Sequence, residues 1–492
     1  MFSHTGIHMA PGNAQKLYAV VVDTTLELGG VFKTIDAGQT WTAIDISGLP
    51  VDVFGGFGWY FTELGIAPGN TDELFLPAID LYHFNPISNT WSLAGPEWWT
   101  YEVHADKHDI QFANGIIYLA TDGGLYSSAD NGSTWTDFEN IPATQFYRIS
   151  PSIWNNVDVT GGAQDNGTTI GSGADPVGWV RAFGGDGFKS FWTPANDDLL
   201  YCETQNGGLY LLDSLNGFFD CTFGIDPNDR RNWDMPWMMS PHNSTTFYCG
   251  TDRVYTSLGF EVPDWVPLSP DLTDGNVFGS RFHNISTVNE SPVTPGILYV
   301  GTSDANAWHS LNNGVNWINI TAGLSDRYIT AMTPSPTYAA TVYLTQSGYM
   351  DNDLNAHVYK SDNHGLNWRS ISGNLPAASV NDILCDPLDS SILYVASDAG
   401  VYFTQNGGID WQRIGNNMPI MPVNEIDFNL SGNALVAGTY ARGIAVFSLD
   451  SLLTSVRVTI EDASQINVFP NPLRNEAFTL IGQVQKLSLI HI

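Results

Sequence analysis

The sequence repeats one short pattern, and this repetition limits the possible folds more than any other feature. The pattern is Ser or Thr, any residue, Asp or Asn, any residue, Gly, two further residues and Trp. Clear copies occur at Thr34–Trp41, Ser128–Trp135, Ser310–Trp317, Ser361–Trp368 and Thr404–Trp411. Such self-similarity indicates one supersecondary unit that is built many times.

Each copy has the residues of a tight turn between two strands. The Asp or Asn side chain can accept backbone N–H bonds inside the turn, and the Gly supplies a positive φ. The Ser or Thr hydroxyl can tie the incoming strand to the same turn, and the Trp packs a large ring at the start of the next strand. We therefore interpret the pattern as a structural hairpin and look for functional residues elsewhere.

The distances between the Trp residues indicate how many units there are. They are 94, 182, 51 and 43 residues, which fit a period of about 45 if some copies are degenerate. Degenerate copies are expected near Trp91, Trp179, Phe223 and Trp265, and a last unit ends near Phe447. Four short strands in each such period are typical of a β-propeller. The sequence therefore predicts an all-β fold of about ten four-stranded blades.

The charge of the chain limits its partners. Only 18 Lys and Arg stand against 51 Asp and Glu in 492 residues, a formal net charge of −33. Because a surface that follows phosphates needs clustered bases, nucleic-acid binding is excluded and anionic lipid is disfavoured. No apolar run is long enough for a membrane helix, so no membrane insertion is expected. We expect a monomer that binds a neutral polysaccharide or an extracellular protein.

Longer motifs carry a resemblance to known proteins. They are His104-Ala-Asp-Lys-His108-Asp109, Ala120-Thr-Asp122-Gly-Gly124, Thr144-Gln-Phe-Tyr147, Gln164-Asp-Asn-Gly-Thr168, Gly184-Gly-Asp-Gly187 and Gly438-Thr-Tyr-Ala-Arg442-Gly443. Together with the Trp-containing turns, they resemble the Asp-box repeats of secreted bacterial propellers of the sortilin-like and glycoside hydrolase family 74-like kind. The resemblance implies a bacterial protein that is extracellular or on the outer-membrane surface and that binds a glycan or a protein.

The same resemblance implies an alternative activity, that of a xyloglucanase-type endo-β-glucanase that uses two carboxylates. Family 74 enzymes place one catalytic Asp in a Thr-Asp-x-Gly-Gly turn of their first blade, and Thr121-Asp122-Gly123-Gly124 looks similar. Related turns recur at Gly250-Thr251-Asp252 and Ser397-Asp398-Ala-Gly400, so no catalytic residue is transferred. A sialidase is disfavoured, because the sequence has no Arg-Ile-Pro segment and its charge would repel an anionic sugar.

The C-terminus and the repeat count suggest how the chain is divided. Val468-Phe469-Pro470-Asn471-Pro472 resembles the first strand of a type IX secretion sorting domain. We expect a truncated form of that domain over residues 466–492, after a linker at 451–465. Because relatives of this kind contain tandem seven-bladed propellers, we expect residues 1–140 to hold the last blades of one propeller and 141–450 to form a complete second one. The alternative is a single ten-bladed ring.

Polar clusters outside the turns are the candidates for function. His104, Asp106 and His108 alternate, so on a strand they would share one face. Two His and one Asp in that position suit ligand binding, metal ligation or proton relay, and they equally suit a hydrogen-bonded cluster that lines a blade. We assign them to ligand binding and assign no metal site.

Carboxylates in three successive segments are the candidates for catalysis. Asp165, Asp186 and Glu203 could supply the pair of acids that glycoside hydrolysis requires. Gln164 and Asn166 flank the first of them in a Gly-containing polar turn that suits sugar hydroxyls and equally suits an ordinary turn.

Two further features complete the expectations. Trp98 and Trp99 follow Gly95-Pro96-Glu97, which marks a loop, so their rings are candidates for stacking on a sugar. Asp351-Asn352-Asp353 is a possible structural calcium loop, and no other cofactor is expected.

Overall fold

The fold consists of antiparallel β-sheets throughout the part of the chain that is described. A computed structural model describes residues 2–138, 141–172, 175–257, 262–275, 282–415, 418–450 and 467–469. Forty strands form ten four-stranded sheets, and two short 3-10 helices also occur, Trp98–Thr100 and Tyr349–Asp351. The predicted all-β class with ten four-stranded blades is confirmed.

The first three sheets follow the chain from its N-terminus. Their strands are β1 Phe2–Met9, β2 Leu17–Asp23, β3 Leu28–Thr34 and β4 Thr42–Ile44; β5 Gly65–Ile66, β6 Leu74–Pro77, β7 Leu81–Asn85 and β8 Thr90–Leu93; and β9 Lys107–Ala113, β10 Ile116–Thr121, β11 Gly124–Ser128 and β12 Thr136–Asp137.

Seven more sheets follow. Sheets four to six are formed by β13 Phe146–Pro151, β14 Asp158–Ala163, β15 Gly167–Ser172 and β16 Asp175–Phe183; β17 Phe191–Thr193, β18 Asn196–Thr204, β19 Gly208–Asp213 and β20 Gly217–Asp220; and β21 Trp237–Met239, β22 Phe247–Gly250, β23 Val254–Ser257 and β24 Trp265–Pro267.

Sheets seven to ten complete the chain. They are formed by β25 Ile285–Glu290, β26 Leu298–Thr302, β27 Ala307–Ser310 and β28 Ile318–Asn319; β29 Tyr328–Pro334, β30 Val342–Ser347, β31 His357–Ser361 and β32 Arg369–Ser370; β33 Val380–Cys385, β34 Leu393–Ser397, β35 Gly400–Thr404 and β36 Gln412–Arg413; and β37 Val423–Asn429, β38 Ala434–Thr439, β39 Ile444–Ser448 and β40 Asn467–Phe469.

The repeated turns contain the hydrogen bonds that the sequence predicts. In one of them, Ser361 Oγ donates to Asn363 Oδ1 over 2.9 Å and accepts the Gly365 N–H over 2.8 Å. The Asn367 N–H also donates to Asn363 Oδ1, over 2.9 Å. The same bonds are centred on Asp36, Asp130, Asn312 and Asn406.

In several units the tryptophan indole donates a hydrogen bond to a backbone carbonyl group of the preceding sheet. The indole N–H of Trp368 donates to the Ile320 carbonyl over 2.7 Å, and that of Trp411 donates to the Ile371 carbonyl over 2.9 Å. Trp91, Trp265 and Trp317 make the corresponding bonds to Asp45, Cys221 and Leu268. Each such indole fixes the spacing of two neighbouring sheets as well as filling space between them.

The last seven sheets close into a ring. Strand β13 of the fourth sheet contacts β37 and β38 of the tenth, as β25, β29 and β33 contact the first strand of the next sheet. Asn424 donates its side-chain N–H to the Phe146 carbonyl over 3.0 Å, and the Gly443 N–H donates to the Thr144 carbonyl over 2.9 Å. Apolar side chains from both sheets, among them Ile149 and Val436, form one buried cluster. The ring therefore has seven blades, and the first three sheets lie outside it.

The end of the chain differs from the expected division at three residues. Asn467–Phe469 pair with β39 as the outer strand of the tenth sheet, whereas the sequence assigns them to a sorting domain. The rest of that motif and the expected linker at 451–465 lie outside the described residues. Among the described residues, no helix is long and apolar enough to cross a membrane.

Candidate functional site: the junction between the third sheet and the ring

Four aspartates come together where the third sheet meets the ring. Asp122 lies in the turn from β10 to β11, and Asp106 directly precedes β9. Asp165 lies in the turn from β14 to β15, and Asp186 lies in the connection from β16 to β17. The two groups of residues come from separate parts of the fold, so the junction is a long-range feature.

Hydrogen bonds hold the turns of the junction together. The Asp165 N–H donates to Asp186 Oδ1 over 2.7 Å, and the Asn166 side chain donates to the Asp122 carbonyl over 2.9 Å. His104 Nε2 lies 3.1 Å from the backbone carbonyl oxygen of Asp165, in the same turn as Asn166. Gln164 bonds the hydroxyl of Tyr440, which follows β38. The structure therefore brings together Gln164, Asp165, Asn166, Asp186 and His104.

Burial and nearby negative charges raise the pKa of Asp165, Asp106 and Asp186. Burial, followed by the negative charges of Asp122 and Asp186, raises the pKa of Asp165 to about 7. Burial and then the charge of Asp122 also raise the pKa of Asp106, and burial is the largest cause of the raised pKa of Asp186. At neutral pH the Asp165 carboxyl group is therefore divided between its acid and its carboxylate.

The positions of His104 and His108 in the junction differ from the predicted alternation along one strand. Strand β9 begins at Lys107, and Asp106 has φ 57°, so His104, Asp106 and His108 do not alternate along one strand. His108 Nε2 instead lies 2.7 Å from Asp122 Oδ1. A Cβ on Gly123 would lie 2.4 Å from the Cβ of His104, so this Gly permits the close approach of the histidine.

Glu203 lies apart from the other candidate acids. It is fully buried on β18, and its Oε1 accepts the Met235 N–H over 2.7 Å. Burial raises its pKa well above the usual range. Because it is inside the ring, Glu203 has no access to a ligand in the junction, and the structure pairs Asp165 with Asp186 instead.

Trp98 and Trp99 are exposed in the first 3-10 helix, which is linked to the junction through Asp80 and Lys107, the residue after Asp106. Their exposed fractions are 41% and 52%. Buried Asp80 anchors this helix, because its Oδ1 accepts the Trp98 N–H over 2.9 Å. Lys107 Nζ lies 3.3 Å from the same oxygen, which gives the anchor a buried cation. The backbone of the helix is therefore anchored, and the two indole rings pack edge to face with centroids 5.9 Å apart while both stay partly exposed.

The residue after this helix also contacts the seven-bladed ring. The Arg181 guanidinium, on β16, lies 4.2 Å from the ring centroid of Tyr101, directly after the helix. A cation over an aromatic face is attracted by the negative charge of that face. This contact places the aromatic segment of the second and third sheets next to the ring.

Three residues of the junction were missed as functional candidates. Asp122 was set aside because its turn recurs elsewhere in the sequence. Tyr440 lies within the Gly438–Gly443 motif, which gives it no role of its own. Tyr60 forms an aromatic pair with Trp59 that the sequence suggests is packing; its ring centroid lies 4.3 Å from that of His108. The signal that could have identified Asp122 is that its turn keeps the full Thr-Asp-Gly-Gly form, which the related turns lack.

Possible metal ligands lie away from the junction. Among the described residues, Asp274, His283 and Asp304 each place one ligand atom within 4.8 Å of the others. His283 Nδ1 already lies 2.8 Å from Asp304 Oδ2, which also accepts the Asp274 N–H. In the expected calcium loop, Arg327 Nε bonds Asp353 Oδ2 over 3.0 Å, so a cationic side chain already occupies that carboxylate.

The centre of the ring encloses a cavity, which we call the channel. This cavity of about 260 Å³ is lined by residues from six of the seven sheets and by Lys189, which precedes the first strand of the remaining sheet. The lining includes Arg148, Asp234, Asn289, Thr330, Asp382 and Glu425. Arg148 pairs with Asp234 over 2.7 Å, and Lys189 pairs with Glu425 over 2.7 Å. Asp382 and Asp427 add two further carboxyl groups. The channel therefore holds more acidic groups than basic ones.

Comparisons with known proteins give no family. No protein-family model matches the chain, and no curated protein matches it. A GH74 enzyme of Niastella koreensis is 13% identical, with 90% of each chain covered and a TM-score of 0.32. The extracellular domain of a protein assigned to a hybrid two-component system of B. thetaiotaomicron is 10% identical, with 93% of this chain and 69% of that chain covered and a TM-score of 0.49. A computationally designed protein, Ika8, is 12% identical over 69% of this chain and 95% of that chain, with a TM-score of 0.40. At these values none of the three carries an argument, so the function is argued from the residues of this chain.

Proposed function

We propose that this chain is an extracellular bacterial β-propeller protein that binds a neutral glycan in the junction between its third sheet and the ring. The observation that carries the proposal is the pairing of exposed, anchored indole rings with a partly buried set of polar side chains. Aromatic faces pack on the apolar faces of sugar rings, and carboxylates and amides bond their hydroxyls.

The charge of the chain supports a neutral ligand. With a net charge of −33 the protein repels anionic polymers. Within the junction, Asp106, Asp122, Asp165 and Asp186 offer acceptors to the hydroxyl groups of an uncharged sugar. A protein ligand with basic side chains is the other partner that this charge would accept, and the experiment below distinguishes the two.

The first test is binding to a set of polysaccharides. Affinity electrophoresis in gels that contain xyloglucan, other β-glucans or the anionic control polygalacturonate should show retardation by a neutral polymer. The double variant Trp98→Ala/Trp99→Ala should lose about tenfold or more in affinity, because two stacking surfaces are removed. Trp154→Ala is a matched control, since that ring is also exposed, at 45%. Absence of retardation by every neutral polymer would contradict the proposal.

Glycoside hydrolysis is a second candidate, which the raised pKa of Asp165 specifically favours. A carboxyl group with a pKa of about 7 is still partly protonated at neutral pH, so it can donate a proton to a leaving glycosidic oxygen. Asp186, whose Oδ1 accepts the Asp165 N–H, and Asp122 are the neighbouring carboxyl groups available as the partner acid. The resulting activity would be that of an endo-β-glucanase.

A reducing-sugar assay on xyloglucan and other β-glucans tests this second function. Asp165→Asn should lower the rate by about a hundredfold or more, since a positioned acid contributes on that scale. The rate of the unchanged protein should fall as the pH rises through about 7, because the proton on Asp165 is lost. Asp109→Asn, at an exposed position, should leave the rate unchanged. A binding protein without hydrolysis would show none of these effects and would still be retarded in the gels.

Location and domain division belong to the same proposal. We place the protein outside the cell or on the outer-membrane surface, with residues 141–450 as the main propeller and 1–140 as part of a second. Protease treatment of intact cells that carry the native protein tests the location. Recovery of the protein only after lysis would contradict it.

A further inference from the structure

A second cavity opens at the end of the channel, next to the junction. Its volume is about 670 Å³, and it shares Arg148, Asp234 and Thr330 with the channel cavity. The cavity is therefore the mouth of the channel, with the Arg148–Asp234 ion pair between it and the narrower space behind. Gln164 and Tyr440 also line it, and these two residues bond each other in the junction.

Aromatic rings from five segments form the walls of this mouth. They belong to Tyr147 on β13, Trp233 before β21, Phe282 before β25, Tyr328 on β29 and Tyr440 after β38. Tyr147 is held by stacking on buried Phe188, with ring centroids 4.7 Å apart. Aromatic side chains around an open cavity present apolar area that suits the apolar face of a small cyclic ligand.

Amide oxygens supply unused acceptors between the rings. Asn381 uses its side-chain N–H groups on Asp398 and the Val423 carbonyl, and Asn424 uses its own on the Phe146 carbonyl. Both residues line the mouth, and neither Oδ1 accepts a hydrogen bond from any residue in the described part of the chain. The bonds between blades thus fix the orientation of two acceptors that remain available to a ligand.

Donors are present in the same cavity. Arg231 lines the mouth and makes one long contact, 3.4 Å, to the Asp226 carbonyl. Arg148 is neutralised by Asp234 at the floor. Free donors and free acceptors both line the cavity, which suits hydroxyl groups because each can both donate and accept. The Asn oxygens and Asp234 disfavour a carboxylate on their side of the cavity, whereas Arg231 would attract one. The net charge of −33 favours an uncharged ligand over an anion.

We propose that the mouth of the channel binds the terminal unit of a neutral glycan, a single uncharged sugar ring, as a site separate from the junction aspartates. The inference rests on the proposed glycan-binding function. It adds where the end of the glycan is bound and which kind of sugar stands at that end. The ion pair at the floor separates the mouth from the channel, so one ring enters and the rest of the glycan leaves across Gln164 towards the junction.

The test uses the full chain and small probes. Calorimetric titration with methyl glycosides of glucose, galactose, mannose and xylose should find binding of at least one neutral ring. Trp233→Ala should weaken this binding about tenfold, since one aromatic wall is lost. Trp154→Ala is the matched control, because both indoles are 45% exposed and Trp154 does not line the cavity. If Trp233→Ala fails to fold, Arg231→Gln should weaken the same probe.

The outcomes separate this inference from the proposed function. Methyl-glycoside binding that is lost in the Trp233 variant and retained in the Trp98→Ala/Trp99→Ala variant supports the mouth as a site. Loss of polysaccharide binding in the Trp98/Trp99 variant alone, with no effect of Trp233→Ala or Arg231→Gln on any probe, overturns the mouth and keeps the junction. Tighter binding of methyl glucuronide than of methyl glucoside overturns the neutral class. Absence of binding to both polysaccharides and methyl glycosides overturns both proposals.

Discussion

At the scale of single residues, the junction depends on how closely its carboxyl groups approach one another. Asp122 is the largest source of negative charge acting on Asp165, so Asp122→Asn should lower the pKa of Asp165 from its value of about 7. Infrared difference spectra between pH 5 and pH 8 measure this, because a protonated carboxyl group has its own C=O band. Asp382 and Asp427 titrate in the same range, so the Asp165 component of the band is identified by its loss in Asp165→Asn. The midpoint of that component should move to lower pH in the Asp122 variant.

The control for this measurement is Asp109→Asn. Asp109 is exposed and bonds only its neighbour Gln111 among the described residues, so the midpoint should stay where it is. A midpoint that is equal in the unchanged protein and in the Asp122 variant would show that Asp122 has no part in raising the pKa of Asp165.

At the scale of elements, the tryptophans are the contacts that join one sheet to the next. Trp411 is 3% exposed and bonds the Ile371 carbonyl, whereas Trp41 is 39% exposed and its indole N–H has no bond partner among the described residues. Trp411→Phe should therefore destabilise the fold by about 2 kcal/mol or more, through a lost hydrogen bond and a cavity. Trp41→Phe should change stability by less than about 0.5 kcal/mol. Equal shifts of the urea midpoint in the two variants would contradict this role.

The turns could be predicted because their hydrogen bonds are local. Asn363 bonds residues two and four positions away, so the pattern is complete within eight residues of sequence. The junction could not be predicted in the same way, since His104 and Asp165 are 61 positions apart. The mistaken alternation of His104, Asp106 and His108 has a local cause: strand β9 starts only at Lys107, after a residue in the left-handed region.

At the scale of the whole molecule, ring closure depends on contacts between the two ends of the ring. Asn424 and Phe146 are 278 positions apart, and Glu425 accepts the backbone N–H of Ile149 and the ammonium group of Lys189. The repeat period predicts ten units but does not predict which two of them contact each other to complete a ring. The seven-bladed ring therefore followed from the resemblance to tandem propellers, and the contact of β13 with β37 and β38 is what distinguishes it from a ring of ten.

The channel at the centre of that ring makes the stability of the whole protein depend on pH. Burial, followed by the charge of Glu425, raises the pKa of Asp382 to about 7, and burial is the largest cause of a pKa of about 6 for Asp427. In the unfolded chain both carboxyl groups have a pKa near 4. The folded state therefore binds more protons than the unfolded state between about pH 4 and pH 7. Their contribution to stability is fully present below about pH 4 and is lost as the pH rises through about 6 to 7. Their titration therefore lowers the unfolding temperature between pH 5 and pH 8 by a few degrees, and Asp382→Asn should reduce the measured change. Scanning calorimetry at the two pH values measures the difference, with Asp109→Asn as the control, and an equal pH dependence in all three proteins would contradict a role for the channel carboxyl groups.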